Sequence, residues 1–468
     1  MDQSLYQRLK IIMSHYESGR RDVAEQMCHE VLITLKDQPQ VLSILGVICG
    51  QSGRFDEAVE FTGRAANALS TEAAAWNNYA MALRSAGKPA ESLAAIERAI
   101  SFNPNYIPAW VNKCSVHTDL RQLDQAAVAV NRALQLNPND ADAHITRAML
   151  LLLQGDLING FAGWEHRWIA RGFHETNPTF TTPPWDGSPI AGRTIFVYAE
   201  KGFGDSIHFV RYVPLLVEQG AKVILEVPAE LTDLMQTLPG AVHVISRGMT
   251  TPPFDTHVPM MSLPYCFRTT LQTIPNKVPY LFADAKLVSQ WKARIAHFVT
   301  VSSQRTLQAN RENNQKQMNL GLVWSGNPMQ VRNRLRSLRP SLLQPLFDLP
   351  NINWFSLQKS QDAVSTAEAR ELPMINLASE LSDFSQTAAA LKSLDGLVTI
   401  DTSVAHLAGA LGVRSWVFLD YGADYRYLLN RSDCPWYPTM HLFRETELGN
   451  RSNTIQQIAA SILKISQH

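Results

Sequence analysis

The sequence predicts an all-α helical-repeat superhelix followed by an α/β region of two halves, each with its own parallel sheet. The first part rests on a spacing of 34 residues that recurs through the first third of the chain. The second part rests on short β-branched runs that alternate with helical patterns from residue 194 onwards. Two polar motifs directly follow such runs, so a binding site is expected in the α/β region.

The composition is that of a globular protein of two to four domains. The 468 residues are 45% hydrophobic, and the 42 lysines and arginines equal the aspartates and glutamates in number. A balanced charge attracts neither nucleic acid nor an anionic membrane, so neither partner is expected. The five cysteines form no metal-binding pattern, and the apolar run at residues 148–153 is too short to span a bilayer. We expect a cytoplasmic protein without a metal ion.

Several residue types recur at the 34-residue period. They are Gly19, Gly53, Gly87 and Gly155, with Arg121 in the missing slot; Trp76 and Trp110; Ala65, Ala99 and Ala133; and Asn103 and Asn137, each followed by proline. Each unit is expected to fold as helix, turn and helix. The pattern resembles the tetratricopeptide repeat, with about five units over residues 1–170 and the best match at residues 73–140. The resemblance implies a superhelix whose concave face binds a protein partner.

Three asparagines on the first helices of their units are candidates for that concave face: Asn77, Asn78 and Asn112. The alternative is that they are ordinary solvated positions of a helix. Trp76 and Trp110 are expected to pack between helices instead of contacting a peptide.

An aromatic face ends the repeat region. Phe161, Trp164 and Trp168 recur at three and four residues, so they share one side of a helix and are expected to join the repeats to the next domain. Residues 171–193, which are rich in proline, are predicted to be a linker that packs onto that domain.

The α/β region opens with the turn at residues 200–212, which follows the apolar run at residues 194–199. Gly202 and Gly204 allow a tight turn and a close approach of backbone to a ligand. Asp205 lies at the start of the helix, either as an N-cap or as a carboxylate that faces the strand ends. His208 and Arg211, one turn later, are candidates for neutralising Asp205 or an acceptor, or are ordinary surface charges of the helix.

Alternating strand and helix patterns divide the rest of the chain into a first half at residues 194–300, a polar connection at 301–319 and a second half at 320–468. The expected strands are residues 194–199, 222–227, 241–245 and 255–261 in the first half, and 319–324, 352–357, 396–400 and 414–419 in the second. Such alternation indicates parallel sheets, in which ligands bind beyond the carboxyl ends of the strands.

The sharpest motif is D-T-S-V-A-H-L-A-G-A-L-G at residues 401–412. Thr402 and Ser403 supply hydroxyls and backbone N–H groups at a helix N-terminus, an arrangement that binds phosphate. His406 lies one turn into this helix, and either takes part in the site or is a core histidine bonded to backbone.

Two further sets of residues follow strands of the second half. Arg332, Arg334, Arg336 and Arg339 form a basic segment suited to a diphosphate or a phosphosugar, or else a solvated loop. Gln358 and Lys359 end the strand at residues 352–357, where they either contact a nucleotide or belong to a surface loop.

Residues 190–468 together resemble a GT-B glycosyltransferase, in particular the heptosyltransferase-like glycosyltransferase family 9. Gly204 and Asp205 match the family's G-D turn, whose aspartate is the catalytic base, and Asp401, Thr402, Ser403, His406 and Leu407 match its phosphate-binding segment. The resemblance implies two Rossmann-like halves, and it matches the Arg334–Arg336 region only loosely. Repeats plus GT-B also resemble bacterial protein glycosyltransferases, including those of flagellin, and share the layout of protein O-GlcNAc transferase.

The resemblance implies an inverting, metal-independent enzyme that needs no cofactor beyond its nucleotide-sugar. Asp205 is then the catalytic base for a serine or threonine hydroxyl of the acceptor protein, while Asp401 binds sugar hydroxyls and the Thr402–Ser403 helix end binds the phosphates. The donor is CMP-, UDP-, GDP- or ADP-linked. The alternatives are a non-catalytic scaffold with a degenerate GT-B domain, or a lipopolysaccharide glycosyltransferase.

Overall fold

The computed structural model describes residues 3–170, 178–305, 317–328, 330, 333–359, 363–422 and 424–466. The chain forms two compact units, one of Met1–Leu150 with Asn327–Leu335 and one of Leu151–Gly326 with Arg336–His468. The units therefore divide at residue 150, before the boundary predicted at residue 170. Within the ranges just given, no helix is long and apolar enough to cross a membrane. Arg332 and much of the predicted connection at residues 301–319 lie outside those ranges.

The first unit consists of successive helix pairs, as the 34-residue period predicts. The helices are α1 (Gln3–Glu17), α2 (Arg21–Thr34), α3 (Pro39–Gln51), α4 (Phe55–Ala68), α5 (Ala73–Ser85), α6 (Pro89–Phe102), α7 (Ile107–Asp119), α8 (Leu123–Leu136) and α9 (Ala141–Gln154), which extends past the boundary of the unit. A further helix, α10 (Leu157–Trp164), completes the fifth pair and lies in the second unit.

Residues with a positive φ form the turns that join the two helices of each pair. Gly19, Gly53, Gly87 and Gly155 have φ between 78° and 88°, a region that glycine adopts without steric cost. Arg121 takes the same place in the fourth pair with φ of 56°. In each turn, the N–H of the following residue donates to a carbonyl of the preceding helix; for example, Arg54 N donates to Cys49 O at 2.9 Å. This Schellman-type bond satisfies a carbonyl at the helix end.

Small side chains let the helices pack closely. Ala65, Ala99 and Ala133 are all at most 1% exposed, so the periodic alanines line the interior of the stack. Trp76 is also buried, and its Nε1 donates to Ser70 O at 2.9 Å. Trp110, which is partly exposed, makes the equivalent bond to Pro104 O at 2.8 Å. The expectation that both tryptophans pack between helices agrees with these contacts.

The second unit contains two sheets, and every strand pair in both is parallel. The strands are β1 (Thr194–Tyr198), β2 (Lys222–Val227), β3 (Val242–Ser246), β4 (Thr256–Pro259), β5 (Met318–Val323), β6 (Ile352–Ser356), β7 (Ile375–Asn376), β8 (Gly396–Ile400), β9 (Ser415–Leu419) and β10 (Met440–Arg444). The first sheet has the order β3-β2-β1-β4 and the second β10-β9-β8-β5-β6-β7. Both are compatible with Rossmann-like halves. The short β7 and the edge strand β10 were not among the predicted strands.

Helices connect and cover these strands. They are α11 (Phe203–Phe209), α12 (Val213–Glu218), α13 (Thr232–Met235), α14 (Leu263–Cys266), α15 (Ala285–Arg305), α16 (Asn333–Arg336), α17 (Gln344–Phe347), α18 (Ala363–Arg370), α19 (Phe384–Leu391), α20 (Ser403–Ala410) and α21 (Arg451–Ser466). Isoleucines of α21 pack on Trp416 and Phe418 to form the core of the second sheet. Helix α15 was assigned to the first half, but its Trp291 Nε1 donates to Gln386 Oε1 of α19 at 2.9 Å.

The aromatic face at the end of the repeat region packs inside the second unit. Phe161 makes edge-on contacts with Phe209, Tyr425 and Trp436 at centroid distances of 6.2–6.5 Å. Arg167, fully buried, stacks on Trp168 and donates to Glu200 Oε1 at 2.9 Å. The prediction that this face packs on the α/β region agrees with these contacts.

Arg121→Gly is expected to stabilise the chain by about 1 kcal/mol, because a non-glycine residue in the left-handed region carries a steric cost that glycine avoids. The measurement is urea denaturation of the full chain followed by the helix signal. The matched control is Gly53→Ala, since φ there is +79° and the added Cβ meets nothing within 4 Å. Gly53→Ala should lower the free energy of unfolding by about as much as Arg121→Gly raises it. A lower free energy of unfolding in Arg121→Gly than in wild type would contradict the account.

Candidate functional site

The opening turn of the α/β region folds around Asp205. Gly202 caps α11, and its N–H donates to Asp205 Oδ2 at 3.3 Å. Asp205 is thus the third residue of the helix, where its carboxylate accepts from the N–H of the capping residue, and the alternative that it is the N-cap itself is wrong. Its carboxylate faces the second half of the unit, where Arg426 Nη2 donates to Oδ1 at 2.5 Å. Asp205 remains 28% exposed.

Gly204 brings the first turn of α11 against the first turn of α20. A Cβ built on Gly204 would lie 3.1 Å from Cδ2 of His406 and 3.5 Å from Cα of Ser403. Only a residue without a side chain fits such an approach comfortably. The two motifs singled out in the sequence therefore meet, each at the carboxyl end of a parallel strand.

The second motif begins with Asp401, just after β8. Its Oδ1 accepts a hydrogen bond from Tyr427 OH at 2.9 Å and lies 3.8 Å from His406 Nε2. Its Oδ2 lies 3.7 Å from Arg336 Nη1. Thr402 caps α20 by accepting from Ala405 N at 3.4 Å, and Ser403, the first residue of the helix, is partly exposed.

Arg426 connects the carboxylates of this region. Besides Asp205, it donates from Nη1 to both carboxylate oxygens of Asp424 at 3.1 Å. Its guanidinium stacks over the rings of Tyr425 and Phe209, at 4.7 and 5.4 Å from their centroids. We call Asp205, Asp401, Asp424, Arg336 and Arg426 the Asp–Arg cluster.

A buried hydrogen-bond bridge lies beside the cluster. Tyr437 OH is 2.9 Å from His208 Nδ1 and 3.0 Å from His406 Nδ1, so it joins α11 to α20. The hydroxyl carries a single proton, so at most one of the two Nδ1 atoms accepts a hydrogen bond from Tyr437.

His208 and Arg211 do not face an acceptor, and neither are they surface charges of the helix. Both are buried, and Arg211 stacks over Tyr437 and donates to Trp436 O at 2.6 Å and to Tyr280 OH at 3.1 Å. The sequence did not predict this burial of His208 and Arg211. It arises because the helical segment that carries them packs against the chain around residue 436. These two side chains join the halves instead of lining a surface.

Burial determines the ionisation of the site. It raises the pKa of the Asp205 carboxyl above its ordinary value, and the Arg426 guanidinium opposes that shift only in part. Burial also lowers the pKa of His208 and of His406 well below the ordinary histidine value, and the guanidinium of Arg211 and Arg426 adds to the effect on both.

The remaining residues that were predicted to contact the nucleotide-sugar either lie away from this site or hydrogen-bond to other parts of the protein. Gln358 is buried, and its Oε1 accepts from Trp324 N and Ser325 N at 3.1 and 2.9 Å, so it holds a loop and is not a surface residue. Lys359 Nζ donates to Leu381 O at 2.5 Å. Arg334 groups with the repeat unit, where it lies 3.4 Å from Asp56 Oδ1.

The three asparagines of the repeats form polar links between first helices. Asn112 Nδ2 donates to Asn77 Oδ1 at 2.8 Å, and Asn78 Nδ2 donates to Ser43 Oγ at 3.1 Å. Asn77 is only 5% exposed, so it is neither a solvated position nor an open groove contact. Asn78 and Asn112 are partly exposed and remain candidates for binding a peptide.

Arg426, Tyr427 and Tyr437 complete the site, and none of them was among the residues predicted from the sequence. They lie between β9 and β10, where no hydrophobic periodicity draws attention. The available signal was the density of aromatic residues around arginine in D-Y-R-Y-L-L and C-P-W-Y-P. Within the described ranges, no group of three or more His, Cys, Asp or Glu residues is arranged to hold a metal ion.

Comparisons with known proteins concern the repeats and the chain at large. The tetratricopeptide repeat model matches residues 83–150, so this part of the chain consists of tetratricopeptide repeats. The chain is 23% identical to Protein FlbA of Caulobacter vibrioides in an alignment of 441 residues that covers 87% of this chain and 70% of that protein.

Two similar solved structures are repeat proteins. A tetratricopeptide-repeat protein of Thermus thermophilus is 20% identical, with a TM-score of 0.33 over 36% of this chain and 91% of that one. PilW, described as a widely conserved type IV pilus biogenesis factor, is 21% identical, with a TM-score of 0.34 over 38% of this chain and 83% of that one.

Gly204→Ala is expected to destabilise the second unit by about 1–3 kcal/mol, because the added methyl group presses on the buried His406 ring 3.1 Å away. Urea denaturation measures the effect. The control is Gly50→Ala inside α3, where the added Cβ lies at an ordinary 3.6 Å from Ala58 Cβ and should cause no loss. Equal stability of Gly204→Ala and wild type would show that the two helices do not approach this closely.

The stability of the chain is expected to fall as the pH drops below about 6.5, the unfolded value for histidine. Below that pH the unfolded chain binds protons at His208 and His406, while the folded chain, whose pKa values there are lowered, does not. Each histidine then contributes a slope of up to about 1.4 kcal/mol per pH unit.

The measurement is the free energy of unfolding between pH 8 and pH 5. His208→Gln should reduce the slope, whereas His441→Gln, at an exposed position of β10, should leave it unchanged. A slope that is the same in wild type and His208→Gln would contradict burial of a neutral His208.

Proposed function

We propose that the chain is an inverting glycosyltransferase that moves a sugar from a nucleotide-sugar to a serine or threonine hydroxyl of a protein held by the repeats. The observation that carries the proposal is the meeting of the Asp205 turn with the Thr402–Ser403 turn at Gly204. Ligands of open α/β sheets bind at the carboxyl ends of parallel strands, and both turns follow such ends.

The donor phosphates would bind at the start of α20. The first N–H groups of a helix have no partner within it, and the helix dipole favours an anion there. Ser403 is partly exposed at this end, and Arg336 lies 3.7 Å from Asp401 at its edge. These groups would stabilise the negative charge that develops on the leaving nucleotide.

Asp205 would act on the acceptor. In a single displacement, the hydroxyl oxygen of the acceptor bonds to the anomeric carbon, the bond from that carbon to the donor phosphate breaks, and the electron pair leaves with the nucleotide. The hydroxyl proton passes to the Asp205 carboxylate, and the anomeric configuration inverts. Asp401 would orient sugar hydroxyls, and the family resemblance implies that no metal ion takes part.

The acceptor would be an unfolded or extended segment of a protein. Tetratricopeptide repeats suit such a partner because successive helix pairs build a continuous concave surface. Asn78 and Asn112 are the side chains on the first helices that would hydrogen-bond the acceptor backbone. Flagellin is one acceptor that the family resemblance implies.

A second candidate function is binding without catalysis, and one observation favours it. Asp205 is paired with Arg426 and with the N–H of Gly202, so both of its carboxylate oxygens are engaged. The guanidinium disfavours protonation of this carboxylate, and a protein that only binds would keep this pair permanently.

Asp205→Asn is expected to lower turnover of the donor by about 10²–10⁴-fold, because it removes the proton acceptor, while the donor still binds. Turnover is the release of free nucleotide from CMP-, UDP-, GDP- and ADP-linked sugars in the presence of acceptor protein. The matched control is Glu218→Gln at an exposed position of α12. Undiminished turnover in Asp205→Asn would refute the role of Asp205, and binding without turnover in wild type would favour the binding protein.

A further inference from the structure

Arg426 is built into the site more firmly than a surface ion pair would be. Its side chain is 9% exposed and lies between the rings of Phe209 and Tyr425. Its Nη1 donates to both carboxylate oxygens of Asp424. Its Nη2 donates to Asp205, which belongs to the first half of the unit, whereas Arg426 belongs to the second. Among the described residues, no partner accepts a hydrogen bond from its buried Nε.

The pair with Asp205 conflicts with proton transfer. A guanidinium stabilises the charged carboxylate and therefore reduces its ability to accept a proton. The hydrogen bond also engages Oδ1, so Asp205 is a better base once Arg426 releases it. Asp205 can be replaced only by a group that binds a guanidinium as strongly as a carboxylate does. Phosphate is such a group, because its oxygens also accept hydrogen bonds from the forked N–H donors of arginine.

We propose that Arg426 exchanges Asp205 for a phosphate of the nucleotide donor, so that donor binding releases the base. The inference rests on the glycosyltransferase function proposed above and names a positioning residue of that site. Asp424 keeps Nη1 throughout, and the two rings keep the guanidinium plane in place. The exchange therefore changes the partner of Nη2 alone.

The exchange makes Asp205 a competitor of the donor. In wild type the donor phosphate must displace a carboxylate from Nη2, whereas in Asp205→Asn it displaces only a neutral amide oxygen, which binds the guanidinium more weakly. Asp205→Asn should therefore bind nucleotide more tightly. Removing a negative charge strengthens the binding of any anion nearby, so this gain has to be shown to act through Arg426.

The test is a double-mutant cycle on the full chain, with CMP, UDP, GDP and ADP as probes and calorimetry as the readout. Asp205→Asn is expected to bind the preferred nucleotide about tenfold more tightly than wild type, and Arg426→Gln about tenfold more weakly. In Asp205→Asn, Arg426→Gln the gain from Asp205→Asn should vanish. If the double variant binds about tenfold more tightly than Arg426→Gln, the gain does not act through Arg426, simple charge repulsion explains it, and the exchange is overturned.

The variants keep the test decisive if one does not fold. Arg426→Gln alone leaves the carboxylates of Asp205 and Asp424 without a guanidinium partner, whereas the double variant leaves one carboxylate fewer. The double variant is then compared with wild type: binding about tenfold weaker than wild type supports the exchange, and binding equal to wild type overturns it. Arg431→Gln, which removes the ion-pair partner of the exposed Asp433, is the control that should not change affinity.

The outcomes separate the two proposals. If wild type binds none of the four nucleotides, the glycosyltransferase function fails and the exchange fails with it. If wild type binds one of them and the cycle shows no coupling between Asp205 and Arg426, the glycosyltransferase function stands and the exchange alone is refuted.

Discussion

The close approach of α11 and α20 at Gly204 is the constraint on which the second unit depends. Each helix follows a central strand of its own sheet, so their contact sets how the two sheets meet. Tyr437 bridges a histidine of each helix, and Arg211 joins the same region to the segment around residue 436. These groups are buried and polar, hence each bond has to be satisfied for the halves to stay together. The positions of the residues in the candidate site are therefore set by this junction.

The same junction brings opposite charges together at the edge of the site. Asp205 comes from the first half, and Arg426 from the second. The ion pair stabilises the junction, yet it engages the carboxylate that the proposed reaction needs. A donor phosphate would resolve this conflict, because it offers the arginine an equivalent partner. Stability without ligand and activity with ligand would then depend on the same guanidinium.

Much of the fold could be predicted because it rests on local signals. The periodic glycines adopt positive φ, the alanines are buried, and Arg121 takes the left-handed turn of its slot. Asp205 and Asp401 could be placed together because both follow parallel strands. The roles of His208 and Arg211 could not, since their burial depends on residues more than 200 positions away. Arg426 and Tyr437 lie in irregular chain, where spacing carries no information about contacts.

The central claim is that the junction of α11 and α20 binds a nucleotide-sugar. Thermal unfolding of the full chain with CMP-, UDP-, GDP- and ADP-linked sugars tests it most directly. A donor present at about 100 times its dissociation constant should add about 2.7 kcal/mol to the free energy of unfolding. The account predicts such a shift for one donor class, and a reduced shift when Ser403→Asp places a negative charge at the start of α20. If no donor raises the melting temperature, the claim is contradicted.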